Sequence, residues 1–531
     1  MIDSILDPPS LGAIAPNPDT SKREVKAAVP TLDPEVARDL HSTKTKLFYG
    51  FGSIAFGIKD NGFQTILLLF YNQVIGLPGP LVGGAIFIAL VFDAFLDPIV
   101  GQFSDNLRTK WGRRHPLMYL SALPVAVSYL LLWNPPHWSH GALFLYLIVV
   151  AIVVRIFITF YEIPSSALAP ELSPDYDQRT VFLGYRTFFA WLGGMSMYML
   201  AFSVFLAPDA AHKNGQLNPA GYHSYGLTAA ILMFAAIMIS ALGTHRYIKH
   251  FRMIPQRRIG VFTLLREMAS TLGNRSFLVL FVAGIFFNAA TGLVFALSIY
   301  FNTYFWGLNS FQIFILAVGT LLAAALAFGV ALPFSRRYGK KNAAMVLFAF
   351  SLSIGVIPLS LRMLGLFVTN GSHWLVPTLA AFNIVSAAMG IASSILLASM
   401  LADVVEDSER VTGRRSEGLF FAASSFNQKA ASGLGLLFSG LILALVHFPA
   451  KAAPGSIDPL VVRNLALAYV PSIVLLYGLA IVIVGFYRIT REDHEENLRR
   501  LAEEAALASS TIGTEAALIG ARVPHAGSAK A

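Results

Sequence analysis

Residues 93–116 read DAFLDPIVGQFSDNLRTKWGRRHP, and they decide what kind of protein this is. Asp93 and Asp97 stand four positions apart at the end of an apolar run that begins at Leu81 and holds no other charge before Asp93. Arg108, Lys110, Arg113, Arg114 and His115 follow within a few residues. A charged side chain at mid-bilayer costs at least ~2.5–3.5 kcal/mol on insertion scales. Acids in so apolar a segment therefore imply a partner, a cavity or a pathway, and the cluster of bases marks where the segment leaves the membrane.

Working outward, apolar stretches long enough to cross a hydrocarbon core recur along all 531 residues. The chain is 55% hydrophobic and only 13% charged, with mean hydropathy +0.62, whereas about a quarter of a soluble protein is charged. This is a polytopic membrane protein. The first 44 residues are polar and lack the apolar core of a cleavable signal. The absence of cysteine excludes disulfides, thiolate metal sites and a cysteine nucleophile. The net charge of +9 does not indicate nucleic acid, because the excess base sits in short connections between apolar segments.

The pattern predicts twelve spans, at about 48–76, 81–104, 116–134, 142–169, 184–207, 226–248, 276–302, 309–333, 343–364, 374–402, 416–447 and 464–487. Connections after spans 2, 6 and 8 are basic (RTKWGRRH, HRYIKHFRMIPQRR, SRRYGKK), and those after spans 1, 7 and 9 carry no Lys or Arg. The positive-inside rule then places both termini in the cytoplasm of a multi-pass inner (plasma) membrane protein. The long basic connection splits the spans six and six. DNLRTKWGRRHP after span 2 is echoed by SRRYGKKNA after span 8. Parallel six-helix repeats are the mark of the major facilitator architecture. The expected organisation is a disordered cytoplasmic tail over 1–44, a six-helix bundle over 45–248, a cytoplasmic linker over 249–275, a second bundle over 276–487 and a cytoplasmic tail over 488–531. Within that last tail, REDHEENLRRLAEEAALA has a charged helical pattern, either solvated or lying on the membrane surface.

The polar residues inside the spans are few. Span 1 carries Lys59, Asp60, Asn61 and Gln64 near its middle; Asp60 and Gln64 share a helical face, and Lys59 is expected to point elsewhere or snorkel. Asp93 and Asp97 stack one turn apart in span 2. Two carboxylates that close in a dry site repel unless a cation lies between them, which is the chemistry of a proton or Na⁺ site. Arg155, Thr159 and Glu162 fall on one stripe of span 4, with Pro164 to kink it. Arg186 is placed at the cytoplasmic start of span 5. Lys429 in span 11 needs a counter-charge, and every buried acid lies in the first half, so it is a candidate to cross between the bundles.

YGFGSIAFGIKD, DAFLDPIVG with WGRRHP, EIPSSALAPEL with the QRT and YR that follow, and ADVVEDSERVTGRRSEG before a lysine-bearing helix resemble the glycoside–pentoside–hexuronide cation symporters, whose type member is melibiose permease. The resemblance covers all the spans. It implies an all-α fold of twelve transmembrane helices in two six-helix bundles, and secondary active symport of a sugar or glycoside with H⁺ or Na⁺. It also implies residue roles: Asp60, Glu162 and Arg186 on the sugar, Asp93, Asp97 and Thr159 on the coupling cation, and Lys429 linking the halves. Gln64, from its face, is added to the substrate group. Arg113 and Arg114 are assigned to a cytoplasmic gate, pairing with Asp105 or with acids at 171–177 and 403–409 in the outward-facing state.

Three departures matter. Glu162 is one methylene longer than the family's aspartate, which shifts any hydroxyl it grips. Leu96 stands where the type member has a polar amide, removing an oxygen ligand and weighting the pair towards H⁺. Ser166 stands where it has the tryptophan that stacks on sugar, and animal lysophospholipid symporters share DAFxDP and PxSAL, so an amphipathic substrate is the alternative, beside an uncoupled sugar facilitator. The expected partners are a small-molecule substrate and the bilayer, with no nucleic acid, no cofactor beyond the coupling ion, and a monomeric state. No HExxH or GxSxG lies within a span, nor any repeated pore ligand, which argues against an enzyme or a channel.

Overall fold

The computed structural model of the chain describes residues 42–173, 175–209, 214–248, 261–412 and 416–490, with Asp39 and scattered positions from 492 to 500. Most of the 1–44 tail, residues 249–260 of the linker and all of 501–531 lie outside the described residues. Backbone amides cannot be left unpaired in lipid, so each apolar stretch closes its hydrogen bonds within a helix. Eleven continuous helices are long and apolar enough to span. They are α2 (Gly79–Asn106), α3 (His115–Leu132), α4 (His140–Leu172), α5 (Tyr176–Leu200), α6 (Pro219–His245), α7 (Arg275–Tyr300), α8 (Ser310–Tyr338), α9 (Lys340–Met363), α10 (Leu375–Thr412), α11 (Glu417–Leu445) and α12 (Pro459–Val484).

The first span, α1 (residues 43–75), is interrupted. Helices Thr43–Phe51 and Ile54–Asn61 meet at a turn, and wide π-helical turns at Gly62–Ile66 and Phe70–Ile75 follow. Starts are set by local chemistry. Asp175 accepts from the Gln178 amide to begin α5, Asn309 and Gln312 form a reciprocal capping box on α8, and prolines occupy the first turns of α2, α3, α6 and α12. Several boundaries lie outside the expected ones. α5 starts eight residues before 184, α6 starts at Pro219 and α12 at Pro459, α8 runs to Tyr338, and α10 continues to Thr412 through DVVEDSERVT, because caps and charged helical stretches extend helices beyond their apolar cores. The linker contains a helix, Val261–Ser270.

Side-by-side packing follows one order twice. In the first half the neighbours run α2–α4–α3–α6–α1–α5, and in the second α8–α10–α9–α12–α7–α11. Adding six to each member of the first series gives the second, so the weak sequence echo corresponds to a repeat of architecture. The halves meet along α2 with α11, α1 with α7, and α5 with α8. The α2–α11 contact is close because it is lined by glycine: a Cβ on Gly440 would overlap the Gly79 carbonyl, and one on Gly83 would lie 2.7 Å from the Leu436 carbonyl oxygen.

At the end opposite the basic loops, the halves share one apolar core, from Phe70 and Trp133 to Tyr300, Trp306, Leu443 and Phe448. Towards the basic loops the second half has a core of its own, around Phe277, Leu347, Met400 and Phe420. Among the described residues, hydrogen bonds between the halves run only from the level of Asp97 to the shared-core end. Gln73, 2% exposed, is the hub there. Its Nε2 donates to the Pro449 carbonyl at 3.0 Å, and its Oε1 accepts from the Ala452 amide at 3.0 Å and the Tyr304 hydroxyl at 3.1 Å.

Gln73→Ala removes three cross-half bonds at about 0.5–1.5 kcal/mol net each. Because the chain has no cysteine, spin labels on cysteines introduced at the exposed Trp138 and Trp374 report this end alone. The label distance is expected to lengthen in Gln73→Ala; an unchanged distribution would mean Gln73 does not hold the end closed.

Candidate functional site

The charged side chains of the spans converge where the shared core ends. α2 presents Asp93 and Asp97 towards α11, and Lys429 reaches across to both, its Nζ 3.0 Å from Asp93 Oδ2 and 2.5 Å from Asp97 Oδ2. The cation that the stacked carboxylates require therefore comes from the opposite half. On the other side of Asp93, α4 supplies two more donors. Arg155 Nη1 lies 3.0 Å from Asp93 Oδ2, and the Thr159 hydroxyl donates to Oδ1 at 2.8 Å. Asp93 is fully buried, while Asp97 is 15% exposed and its Oδ1, itself shielded, accepts no hydrogen bond.

A second group adjoins the first. Lys59 pairs with Asp60 Oδ1 at 2.7 Å and approaches Glu162 Oε2 at 3.7 Å. It is 1% exposed, so the expectation that it points elsewhere or snorkels is corrected: the acids one residue on and across on α4 hold its ammonium in the interior. Asp60 is 40% and Glu162 21% exposed, which opens this group to the space between the halves. Arg186 is also corrected. It lies ten residues into α5 rather than at its start, and it donates to Ser165 Oγ at 2.8 Å and the Glu162 carbonyl oxygen at 3.2 Å while covering the Phe56 ring at 4.6 Å. Gln64 sits in the π-helical turn Gly62–Ile66, where the regular i,i+4 stacking does not apply, and makes no hydrogen bond to the cluster.

Sequence reasoning placed Arg155 on the right stripe but gave it no role. The signal was available as charge balance. Asp60, Asp93, Asp97 and Glu162 are four acids, against which only Arg186 and Lys429 had been set. Buried charges are paired, so Lys59 and Arg155 had to complete the set.

At the basic end, Arg113 and Arg114 converge on Glu171 Oε1 at 2.7 and 2.9 Å, and Arg114 also reaches Asp105 at 2.5 Å. In the equivalent place of the second half, Lys340 pairs with Asp403 at 2.6 Å. The expected pairing with Asp105 and with an acid of 171–177 is found; the reach to 403–409, expected when the basic ends of the halves meet, is not made here, where the cores have parted and each half closes its own loop onto its own fourth helix.

A family profile for MFS/sugar transport proteins matches residues 48–491. The chain belongs to that family. Among its relatives are an uncharacterized symporter of Synechocystis (28% identical, covering 88% of this chain and 97% of the relative) and the isoprimeverose transporter of Lactiplantibacillus pentosus (26%, covering 83% and 88%). The solved structure of the xylose transporter XylE of Escherichia coli superposes with a TM-score of 0.57 at 15% identity, over 86% of this chain and 98% of that one, and shows the fold. As a member of the MFS/sugar transport family this multi-pass membrane protein is a transporter and not an enzyme.

Removing one partner of a buried pair costs about 3–5 kcal/mol. Lys429→Ala is expected to lower the apparent unfolding temperature of the purified transporter, and Asp97→Asn in the same chain is expected to recover part of the loss. Equal melting of Lys429→Ala and native protein would show that the bridge carries no net stability.

Proposed function

We propose that the protein is a cation-coupled symporter of a sugar or glycoside, working by alternating access. The observation that carries the reading is Lys429 of one half seated on Asp93 and Asp97 of the other. The first half's cluster contains four acids (Asp60, Asp93, Asp97, Glu162) and three bases (Lys59, Arg155, Arg186), a net charge of −1, and Lys429 brings it to zero. When the halves part at this level, Lys429 leaves and one positive charge is missing. A coupling cation, H⁺ or Na⁺, replaces it.

The basic loops face the cytoplasm under the positive-inside rule, so the described state is closed outside and open to the cytoplasm. With Lys429 on both aspartates the site is neutral without a coupling cation, which lets the carrier return without stranding a buried charge. Outside, the cation displaces Lys429 from Asp97 and the substrate engages Asp60, Glu162 and Arg186, the polar groups that face the space between the halves. Each ligand then raises the affinity for the other by the same factor, typically through ~1–3 kcal/mol of coupling. Arg113 and Arg114 act at the cytoplasmic rim, where their grip on Glu171 fixes the ends of α3 and α4 that must meet the second half on closure.

The test is uptake into proteoliposomes, with disaccharides, glucuronides and a lysophospholipid offered in parallel under a Na⁺ or a proton gradient. A sugar or glycoside is expected to accumulate under one gradient, and Asp97→Asn is expected to abolish accumulation while leaving substrate exchange. Uptake that merely equilibrates in both proteins would make this a facilitator; accumulation of the lysophospholipid alone would replace the substrate class.

A further inference from the structure

Arg155 is a tightly held side chain of the cluster, and the cycle above gives it no step. Its guanidinium is 1% exposed, bonds Asp93 Oδ2 at 3.0 Å, lies 3.9 Å from Asp60 Oδ1 and stands over the Phe63 ring at 4.5 Å. We propose that Arg155 determines ion specificity: it occupies Asp93 as a tethered cation throughout the cycle and excludes Na⁺ from the aspartate pair. The inference rests on the symport reading and selects H⁺ from its two ions.

Three features support it. First, Arg155 and Lys429 neutralise Asp93 from different places. Lys429 stands on α11, in the half that moves away, whereas Arg155 stands on α4, which packs against α2 within the same half. Rocking of the halves removes the lysine and leaves the arginine. Secondly, Asp93 keeps partners within its own half on both oxygens when Lys429 leaves: Oδ1 takes the Thr159 hydroxyl hydrogen, and Oδ2 takes Arg155, whose charge offsets its own. A hard cation is held by several oxygens converging on it, and once the guanidinium is counted only Asp97 remains of the two carboxylates. Thirdly, arginine does not lose its charge in proteins, so no change of pH within the working range vacates Asp93. Asp60 behind the guanidinium and Phe63 over its face keep it in place.

Na⁺ binding to the purified protein is the readout, followed by calorimetry at constant ionic strength with choline as the replacement ion. The native protein is expected to show no saturable Na⁺ binding. Arg155→Gln and Arg155→Ala, checked for folding by thermal melting, are expected to tighten Na⁺ by roughly tenfold or more, and adding Asp93→Asn to either is expected to remove the gain. Saturable Na⁺ binding by the native protein that Asp93→Asn abolishes would overturn the proposal, as would a folded Arg155→Gln that binds no Na⁺. If neither variant folds, the native titration decides alone. Failure of the symport reading shows separately, as native proteoliposomes that accumulate substrate under neither gradient.

Discussion

The structure turns on one ammonium group. Two carboxylates stacked a turn apart inside a membrane repel at a cost that no amount of apolar packing around them relieves, because the low dielectric that favours packing strengthens the repulsion. Lys429 removes that repulsion, and it can do so only if α11 lies against α2 closely enough for its Nζ to touch both acids. The glycines along the contact meet that requirement. Gly79 and Gly440 bring backbone against backbone, Gly433 admits Leu90, and Asp93, Asp97 and Lys429 follow on the same seam. Glycine packing and ion pairing are thus two parts of one contact. The electrostatic part is the one that a cation can undo.

The two ends of the molecule are built differently for the same reason. Towards the shared-core end the halves are joined by neutral hydrogen bonds, such as Gln73 with Pro449 and Tyr300 with Asn72, set in apolar surroundings. Neutral contacts of this kind are individually worth about 0.5–1.5 kcal/mol, so the closed end is held firmly but reversibly. At the basic end the strong pairs, Arg113 and Arg114 with Glu171 and Lys340 with Asp403, stay within each half. They stiffen the rims of two separate bodies. Rigid bodies with strong internal pairs and weak mutual ones are what rocking about a central site requires.

Most of this architecture was legible in the sequence because hydropathy reports directly on what lipid demands. The span count, the basic loops and the six-plus-six division all follow from where apolar runs begin and end. The isolation of Lys429 among apolar residues, with the acids inside the apolar runs all in the other half, also pointed across the interface. The interruptions of α1 were not legible. A π-helical turn changes which amide meets which carbonyl without changing the apolar content, and with it goes the shared face expected of Asp60 and Gln64. Lys59 departs from expectation for a different reason: long side chains next to apolar stretches usually snorkel, and only a full count of the four acids shows that it, and Arg155 on its stripe, are needed inside. The local partners of Arg113 and Arg114, Asp105 and Glu171, were legible as charge near charge, whereas their reach to 403–409 depends on the distance between two bodies, which no local pattern encodes.

The central claim is that a single coupling charge takes the place of Lys429, and the charge moved per substrate tests it most directly. With a neutral sugar in proteoliposomes, the membrane potential that just balances a known substrate gradient gives that number. The account predicts one elementary positive charge per sugar. Electroneutral transport, or two charges per sugar, would contradict it.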